Sequence, residues 1–120
     1  MPHLFDPLQL RGVTLRNRIG VSPMCQYIAQ EGMANGWHLV HLGARAAGGA
    51  GRVFIEATGV TAQGRITPGC MGIWTDDHVE PLARIARFVS GQGAVAGIQI
   101  GHAGRKASCD VTWKVGVPLS

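Results

Sequence analysis

Three short segments of this chain, Ile19-Gly20-Val21-Ser22, Val53-Phe54-Ile55-Glu56-Ala57-Thr58 and Val95-Ala96-Gly97-Ile98-Gln99-Ile100, are apolar on both faces until they end. A strand with one wet face alternates apolar and polar residues; these do not, so each needs cover on both sides. Stretches of helical periodicity separate them, and strands alternating with helices imply a parallel sheet covered by helices. Each segment also runs out into polar or reactive side chains, at the strand ends where parallel α/β enzymes place their active sites.

The helical stretches have clear limits. Residues from about 37 to 47 carry Leu39, Leu42 and Ala46 at helical spacing and run into Gly48-Gly49-Ala50-Gly51, a helix stop followed by a turn. Asp77 with Glu80 three residues later marks a second helix start, with Pro81 in the tolerated first turn. Val79, Leu82, Ile85, Ala86 and Val89 form its apolar stripe, closed by Gly91 and Gly93. Ahead of the first strand, Leu8-Gln9-Leu10 and Val13-Thr14-Leu15 predict a hairpin with glycine in the Arg11-Gly12 turn. Such a hairpin is able to plug the base of a barrel. Periodicity alone leaves a barrel and a doubly wound sheet both open.

Composition narrows the partners. A hydrophobic fraction of 46% with 18 glycines fits a buried core with many tight turns and argues against disorder. The net charge of +4 comes from basic residues scattered from Arg11 to Lys114, so no nucleic-acid footprint is expected. The densest basic spots, Arg16-Asn17-Arg18 and Arg105-Lys106, sit beside strand ends, where fold or ligand contacts explain them equally well. Cys25, Cys70 and Cys109 are odd in number and widely spaced, which gives neither a disulfide framework nor a metal pair. With no leader-like start and no run of about 18 apolar residues, the expectation is a cytoplasmic protein that contacts no membrane.

Several side chains stand out chemically. Cys25 lies two residues past Pro23, and its spacing leaves open an inert buried thiol or a working group in a site. Tyr27 is either core packing with a satisfied hydroxyl or a site hydroxyl. Gln99 interrupts a strand otherwise made for burial, and a buried amide without partners costs about 1–3 kcal/mol. Glu56 breaks its strand as an internal ion-pair partner, compensated by Arg18 or Arg105, or as an exposed end residue; a structural role is assigned to it. His38 and His41, spaced i and i+3, place two imidazoles on one helix face, but no acid or cysteine is spaced to complete a metal site. They are read as packing residues, with no metal expected. His102 opens a His-Ala-Gly-Arg loop that lines a cavity or shapes a barrel mouth.

Taken together, Leu15-Arg16-Asn17-Arg18-Ile19, Ser22-Pro23-Met24-Cys25-Gln26-Tyr27, Glu56-Ala57-Thr58, Gly64-Arg65-Ile66, Gly72-Ile73-Trp74 and Gln99-Ile100-Gly101-His102-Ala103-Gly104-Arg105-Lys106 resemble the Old Yellow Enzyme family of flavin-dependent ene-reductases. The resemblance runs from about Leu4 to Ser108 and points to the branch with a cysteine beside the flavin. It implies an α/β fold, the N-terminal portion of a (β/α)8 TIM barrel, with about three parallel strands and an N-terminal β-hairpin. The hairpin would occupy residues 1–18 and the first βα units residues 19–120. A whole barrel takes about 250 residues, so the chain is expected to be the first third of a longer enzyme, with two open sheet edges exposing Val21, Ile55 and Ile98.

The resemblance also implies the chemistry. The cofactor would be FMN, with NADPH or NADH as reductant and an α,β-unsaturated carbonyl compound, an enone-type small molecule, as substrate. Backbone groups of Ser22, Pro23, Met24 and Cys25 would contact the flavin, and the Cys25 thiol would tune its potential without becoming a nucleophile. Gln99 would bind the pyrimidine edge, which has a donor and acceptors for an amide, with the Ala57 backbone beside it. Tyr27 would orient substrate, and the full-length enzyme would be a homo-oligomer. The alternative is a non-catalytic truncated fragment or pseudoenzyme that needs a complementary chain. In the tail after Ser108, Trp113, Gly116, Pro118 and Leu119 fit the family pattern while their neighbours do not. A related iron–sulfur flavin enzyme finds no clustered cysteines here, and Gly48-Gly49-Ala50-Gly51 precedes a strand, the wrong order for dinucleotide binding.

Overall fold

The computed structural model describes residues 1–114. Of the tail positions singled out above, Gly116, Pro118 and Leu119 lie outside the described residues. Strands β1 (Leu8–Leu10) and β2 (Val13–Leu15) form the antiparallel hairpin, with Leu10 opposite Val13. Gly12 stands in the turn as expected, and Arg11 before it takes the left-handed backbone at φ 50°. The tight hairpin turn demands a positive φ at its first central position, whichever residue stands there.

A four-stranded parallel sheet follows, centred on β4 (Arg52–Gly59). The short β3 (Gly20–Val21) pairs with its first residues, and β6 (Val95–Gly101) pairs along its whole length. A strand without a sequence signal, β5 (Met71–Gly72), pairs with Thr58 and Gly59. It covers backbone groups at the rim that β3, stopped before Pro23, is too short to reach.

Helix α1 (Gly36–Ala47) starts at Asn35, whose side chain accepts the Trp37 N–H at 3.0 Å, while His38 Nδ1 accepts the Asn35 N–H at 3.0 Å. This is a capping box with histidine in the usual Glu/Gln place. Helix α2 (Val79–Gly91) is entered through a 3-10 turn, Asp76–His78. The expected Asp77–Glu80 cap gives way to Thr75 and His78, the Thr75 N–H donating to His78 Nδ1 at 3.3 Å. The 3-10 turn begins at Asp76, three residues before α2 and its apolar stripe, so the extended backbone that a cap requires falls on Thr75, at φ −136°. Leu42 and Ala46 of α1, Val53 and Ile55 of β4, and Leu82, Ile85 and Val89 of α2 make the core between helices and sheet. Ile55 thus faces the helices at 5% exposure and is not an exposed interior position. Val79, expected in the α2 stripe, is 56% exposed.

At the base, Arg16 resolves its two readings in favour of the fold. Its guanidinium donates to Ala46 O at 2.7 Å in the last turn of α1, to Ala50 O at 2.9 Å just after that helix, and to Gln92 O at 2.7 Å after α2. One cation therefore answers the orphan carbonyls and the negative dipole ends of both helices. Asn17 continues the clamp, donating to Gly49 O at 2.7 Å and accepting the Ile19 N–H at 3.0 Å. Replacing Arg16 by Met should lower stability by about 2 kcal/mol in urea denaturation, and Arg16→Lys should recover only part, because an ammonium cannot fork to both helices. Equal midpoints for Met and wild type would contradict the clamp.

Candidate functional site

The rim at the carboxyl ends of the strands begins with the segment after β3. Ser22 and Met24 are exposed there, while Pro23, Cys25 and Tyr27 are half-buried. Tyr27 adopts φ 54°, a left-handed backbone that an aromatic residue rarely takes. The segment is held because the Ala29 N–H donates to Gly69 O at 2.9 Å and the Tyr27 carbonyl packs where any Cβ on Gly69 would overlap it. Glycine at position 69 is therefore a requirement of this loop's path.

The second rim element is made by an irregularity in β4. Ile55 pairs with Ile98 and Ala57 with Gln99, leaving Glu56 as an extra residue in a β-bulge. Side chains in a strand alternate, so one inserted residue shifts everything after it to the other face. Ile55 and Glu56 both turn to the helix side, Ile55 into the core and Glu56 to within 3.8 Å of His38 on α1. Ala57 then stands at the mouth, paired with Gln99. The Cys25 thiol lies against the Ala57 backbone and beside Tyr27. Cys25, Ala57 and Gln99 thus meet on one rim, with Tyr27 next to them.

Gln99 departs from the sequence expectation in one respect. It is exposed, since β6 is the edge strand of the described sheet and its last three residues have no neighbour on the outer side. No hydrogen bond occupies its amide among the described residues. An open cavity of about 250 Å³ lies beside it, lined by Ala57, Gln99, Arg65, Cys70, His102 and Lys106 among others. Its lining holds cationic side chains and no carboxylate. The His-Ala-Gly-Arg loop accordingly borders this cavity, and His102 Nδ1 accepts the Gly104 N–H at 3.0 Å.

Burial pushes the Cys25 thiol up from its ordinary value, and the neighbouring Cys70 and Glu56 push the same way; the Ala57 backbone and Tyr27 act against them. The Tyr27 hydroxyl is raised as well, first by burial and then by Cys25. Both groups are therefore held protonated at neutral pH.

Glu56 is buried at 3% exposure, and its partner is neither Arg18 nor Arg105. Its Oε2 accepts the Gln26 N–H at 3.2 Å and lies 3.8 Å from His38 Nε2. The bulge turns Glu56 to the helix side, where His38 on α1 faces it. Burial raises its carboxyl to about 7, against a smaller downward pull from the Gln26 amide. Burial lowers His38 and His41, keeping both neutral. His41 stacks on Trp37 with centroids 6.3 Å apart, as a packing residue does, whereas His38 also completes the helix cap and faces Glu56. The helical spacing of His38 and the lone acid in β4 were the available signals, but nothing in the sequence linked them.

These shifts set a pH dependence. An acid raised from 4.5 to about 7 keeps its proton in the fold after the unfolded chain has lost it, so its stabilising share is whole below 4.5 and falls as pH rises to about 7. The lowered histidines act oppositely, removing stability as pH drops through 6.5. Comparison with Glu56→Gln isolates the acid. The Gln variant should gain on the wild type, by on the order of 3 kcal/mol, between those two pH limits in denaturant titrations. A constant difference across the range would refute the buried carboxyl.

Residues 3–117 match the model of the NADH:flavin oxidoreductase / NADH oxidase family. An NADH:flavin oxidoreductase of Gibberella zeae is 49% identical over 110 residues, covering 92% of this chain and 27% of that protein. An NADPH dehydrogenase of Geobacillus thermodenitrificans is 49% identical over 106 residues, covering 87% and 31%. Among solved structures, morphinone reductase in complex with tetrahydroNAD superposes with TM-score 0.83 at 29% identity, over 90% of this chain and 29% of that one. The old yellow enzyme of Trypanosoma cruzi gives 0.77 at 29% identity, over 87% and 28%. The chain thus spans about a third of the length of its curated relatives. Its parallel strands and hairpin match the N-terminal part of the TIM-barrel fold of those enzymes. With nearly its whole length inside the family match, the chain belongs to the NADH:flavin oxidoreductase / NADH oxidase family.

Proposed function

We propose that this chain carries the flavin-facing rim of an FMN-dependent ene-reductase, which uses NADPH or NADH to reduce activated C=C bonds of α,β-unsaturated carbonyl compounds. The observation that carries the reading is the pairing of Ala57 with Gln99 at the mouth, beside the Cys25 thiol. FMN, when bound, supplies hydride transfer from the nicotinamide to the substrate. The residues present fit this group. The Gln99 amide has a donor and an acceptor free, the Ala57 backbone is beside it, and the adjoining cavity has no carboxylate to repel an electron-rich ring edge.

Within this scheme, Ser22, Pro23, Met24 and Cys25 offer backbone groups to the flavin. Cys25 stays a thiol because burial disfavours its charge, so it acts by polarity and hydrogen bonding and not as a thiolate nucleophile. Tyr27 stays protonated for the same reason and orients substrate as a hydroxyl donor, braced edge-on by Trp113 at 6.1 Å. The three free cysteines are in keeping with a reducing, cytoplasmic setting. In a flavin-loaded protein, Cys25→Ala should shift the reduction potential while flavin stays bound. Loss of the flavin, or an unmoved potential, would remove the tuning role.

A second reading is favoured by the exposed apolar surface. Trp37 and Val40 on α1 are 51% and 59% exposed, and Ile100 on the edge strand β6 is 60% exposed. On this reading the 120 residues are not catalytic alone and need complementary strands to close the barrel. Flavin titration of the purified chain, followed by fluorescence quenching and by NADPH oxidation with a cyclic enone, separates the two. Weak flavin binding and no turnover are expected of the chain alone; submicromolar binding with turnover would overturn the need for a complement.

A further inference from the structure

Glu56 and His38 have no part in the flavin contacts above, yet they are 3% and 0% exposed. Glu56 Oε1 and His38 Nε2 are the two buried side-chain atoms without a hydrogen-bond partner among the described residues. His38 Nδ1 accepts the Asn35 N–H, so in the neutral ring the proton sits on Nε2, facing Glu56 Oε2 across 3.8 Å. That same Oε2 accepts the Gln26 N–H. The bulge in β4 places this carboxylate directly behind the loop that carries Cys25, and a bulge beside a site is a device for aiming a side chain.

We propose that Glu56, backed by His38, is a positioning residue that anchors the Cys25–Gln26 segment at the rim and sets the polarity around the Cys25 thiol through its own charge. What the segment touches rests on the flavin reading above; that Glu56 holds it does not. A charged acceptor binds an amide about twice as strongly as a neutral one, so the anchor tightens when Glu56 ionises. The groups facing Glu56 are His38 on α1, with His41 one turn on, and Cys25 and Tyr27 on the rim segment, with Cys70 behind Cys25. No lysine or arginine pairs with it among the described residues. Its negative charge is thus felt by the thiol without a cation to cancel it.

The test needs no flavin. Iodoacetamide alkylation of the 120-residue chain from about pH 6 to about pH 9, resolved by peptide mass spectrometry, reads the thiolate fraction of each cysteine separately. Cys25 should react with a pH profile of two steps, the lower near 7 where Glu56 ionises. Glu56→Gln should remove the lower step and move the rest to lower pH, making Cys25 several-fold faster at neutral pH. Hydrogen exchange of the Gln26 amide is the second readout: protection should persist in Glu56→Gln, whose amide oxygen still accepts, and fall about tenfold in Glu56→Leu. Should the Leu variant not fold, the wild-type and Gln profiles decide. Superposed Cys25 profiles, equal Gln26 exchange in all variants, or a wild-type chain in which buried Cys70 reacts as fast as Cys25 would each overturn the proposal. An altered potential in Cys25→Ala with superposed profiles here would leave the flavin reading standing and remove Glu56 from it.

Discussion

The rim depends on a register shift of one residue in one strand. β4 is the strand with partners along both edges, so its backbone is fixed by pairing and cannot rotate to re-aim a side chain. Strict alternation from Val53 and Ile55, which pack against the helices, would send Ala57 to the helices too. The extra residue at Glu56 reverses the parity: Ile55 and Glu56 share the helix side, and Ala57 reaches the mouth opposite Gln99. The same insertion puts a carboxylate into the helix–sheet layer, where it must find what neutralisation it can. An acid under the Cys25 loop and a backbone at the cavity are two consequences of one bulge.

Burial in this layer drives every resolved titration toward the neutral form. Cys25, Tyr27 and Glu56 are raised, His38 and His41 lowered. Below about pH 7, where Glu56 keeps its proton, a chain of neutral donors and acceptors lies beneath the rim, while the cavity beside it carries Arg65, Lys106 and His102. On the proposed flavin reading this contrast would matter, because a thiolate or carboxylate near the cofactor would oppose the negative charge that reduction adds.

The strands that end in reactive residues were legible because apolar runs of several residues leave a signal that a single sequence can carry. Ile19, Val53 and Val95 announce the sheet, and the spacing of Leu82, Ile85 and Val89 announces α2. What stayed hidden lacks a local signal. β5 is two residues long, too short for any period, and exists because Thr58 and Gly59 need a partner at the rim. The bulge leaves no mark in composition. It decided that Glu56 met His38 in place of an arginine. Thr75 displaced Asp77 as the cap because a 3-10 turn precedes α2, and such turns differ from the first turn of a helix by hydrogen-bond pattern and backbone angles that no residue pattern here announces. Gln99 was conspicuous for the right reason, a polar side chain in an apolar run. Its exposure follows from β6 being the edge of the described sheet, which strand composition does not encode.

The Arg16 clamp and the candidate site occupy opposite ends of the sheet, and different forces hold each. At the base, short charge-assisted bonds from Arg16 fix the exits of both helices, and Asn17 ties them to the entry of β3. At the rim, contacts are aromatic and backbone-mediated. Arg65 stands over Trp74 at 5.1 Å, Trp74 meets His78 edge-on at 4.7 Å, and His78 Nε2 lies 2.9 Å from Glu31 O. This second chain of contacts links the loops after β3 and β4 and the start of α2, and Gly32 and Gly72 pack so closely on Trp74 that side chains there would displace it. Left-handed backbone at Tyr27 and Glu31 falls within the same loops. Rigid base bonds allow such strained conformations to persist, since the strain is distributed over loops that the sheet already holds in place. A barrel enzyme can in this way alter its rim chemistry while the base, and with it the fold, stays unchanged.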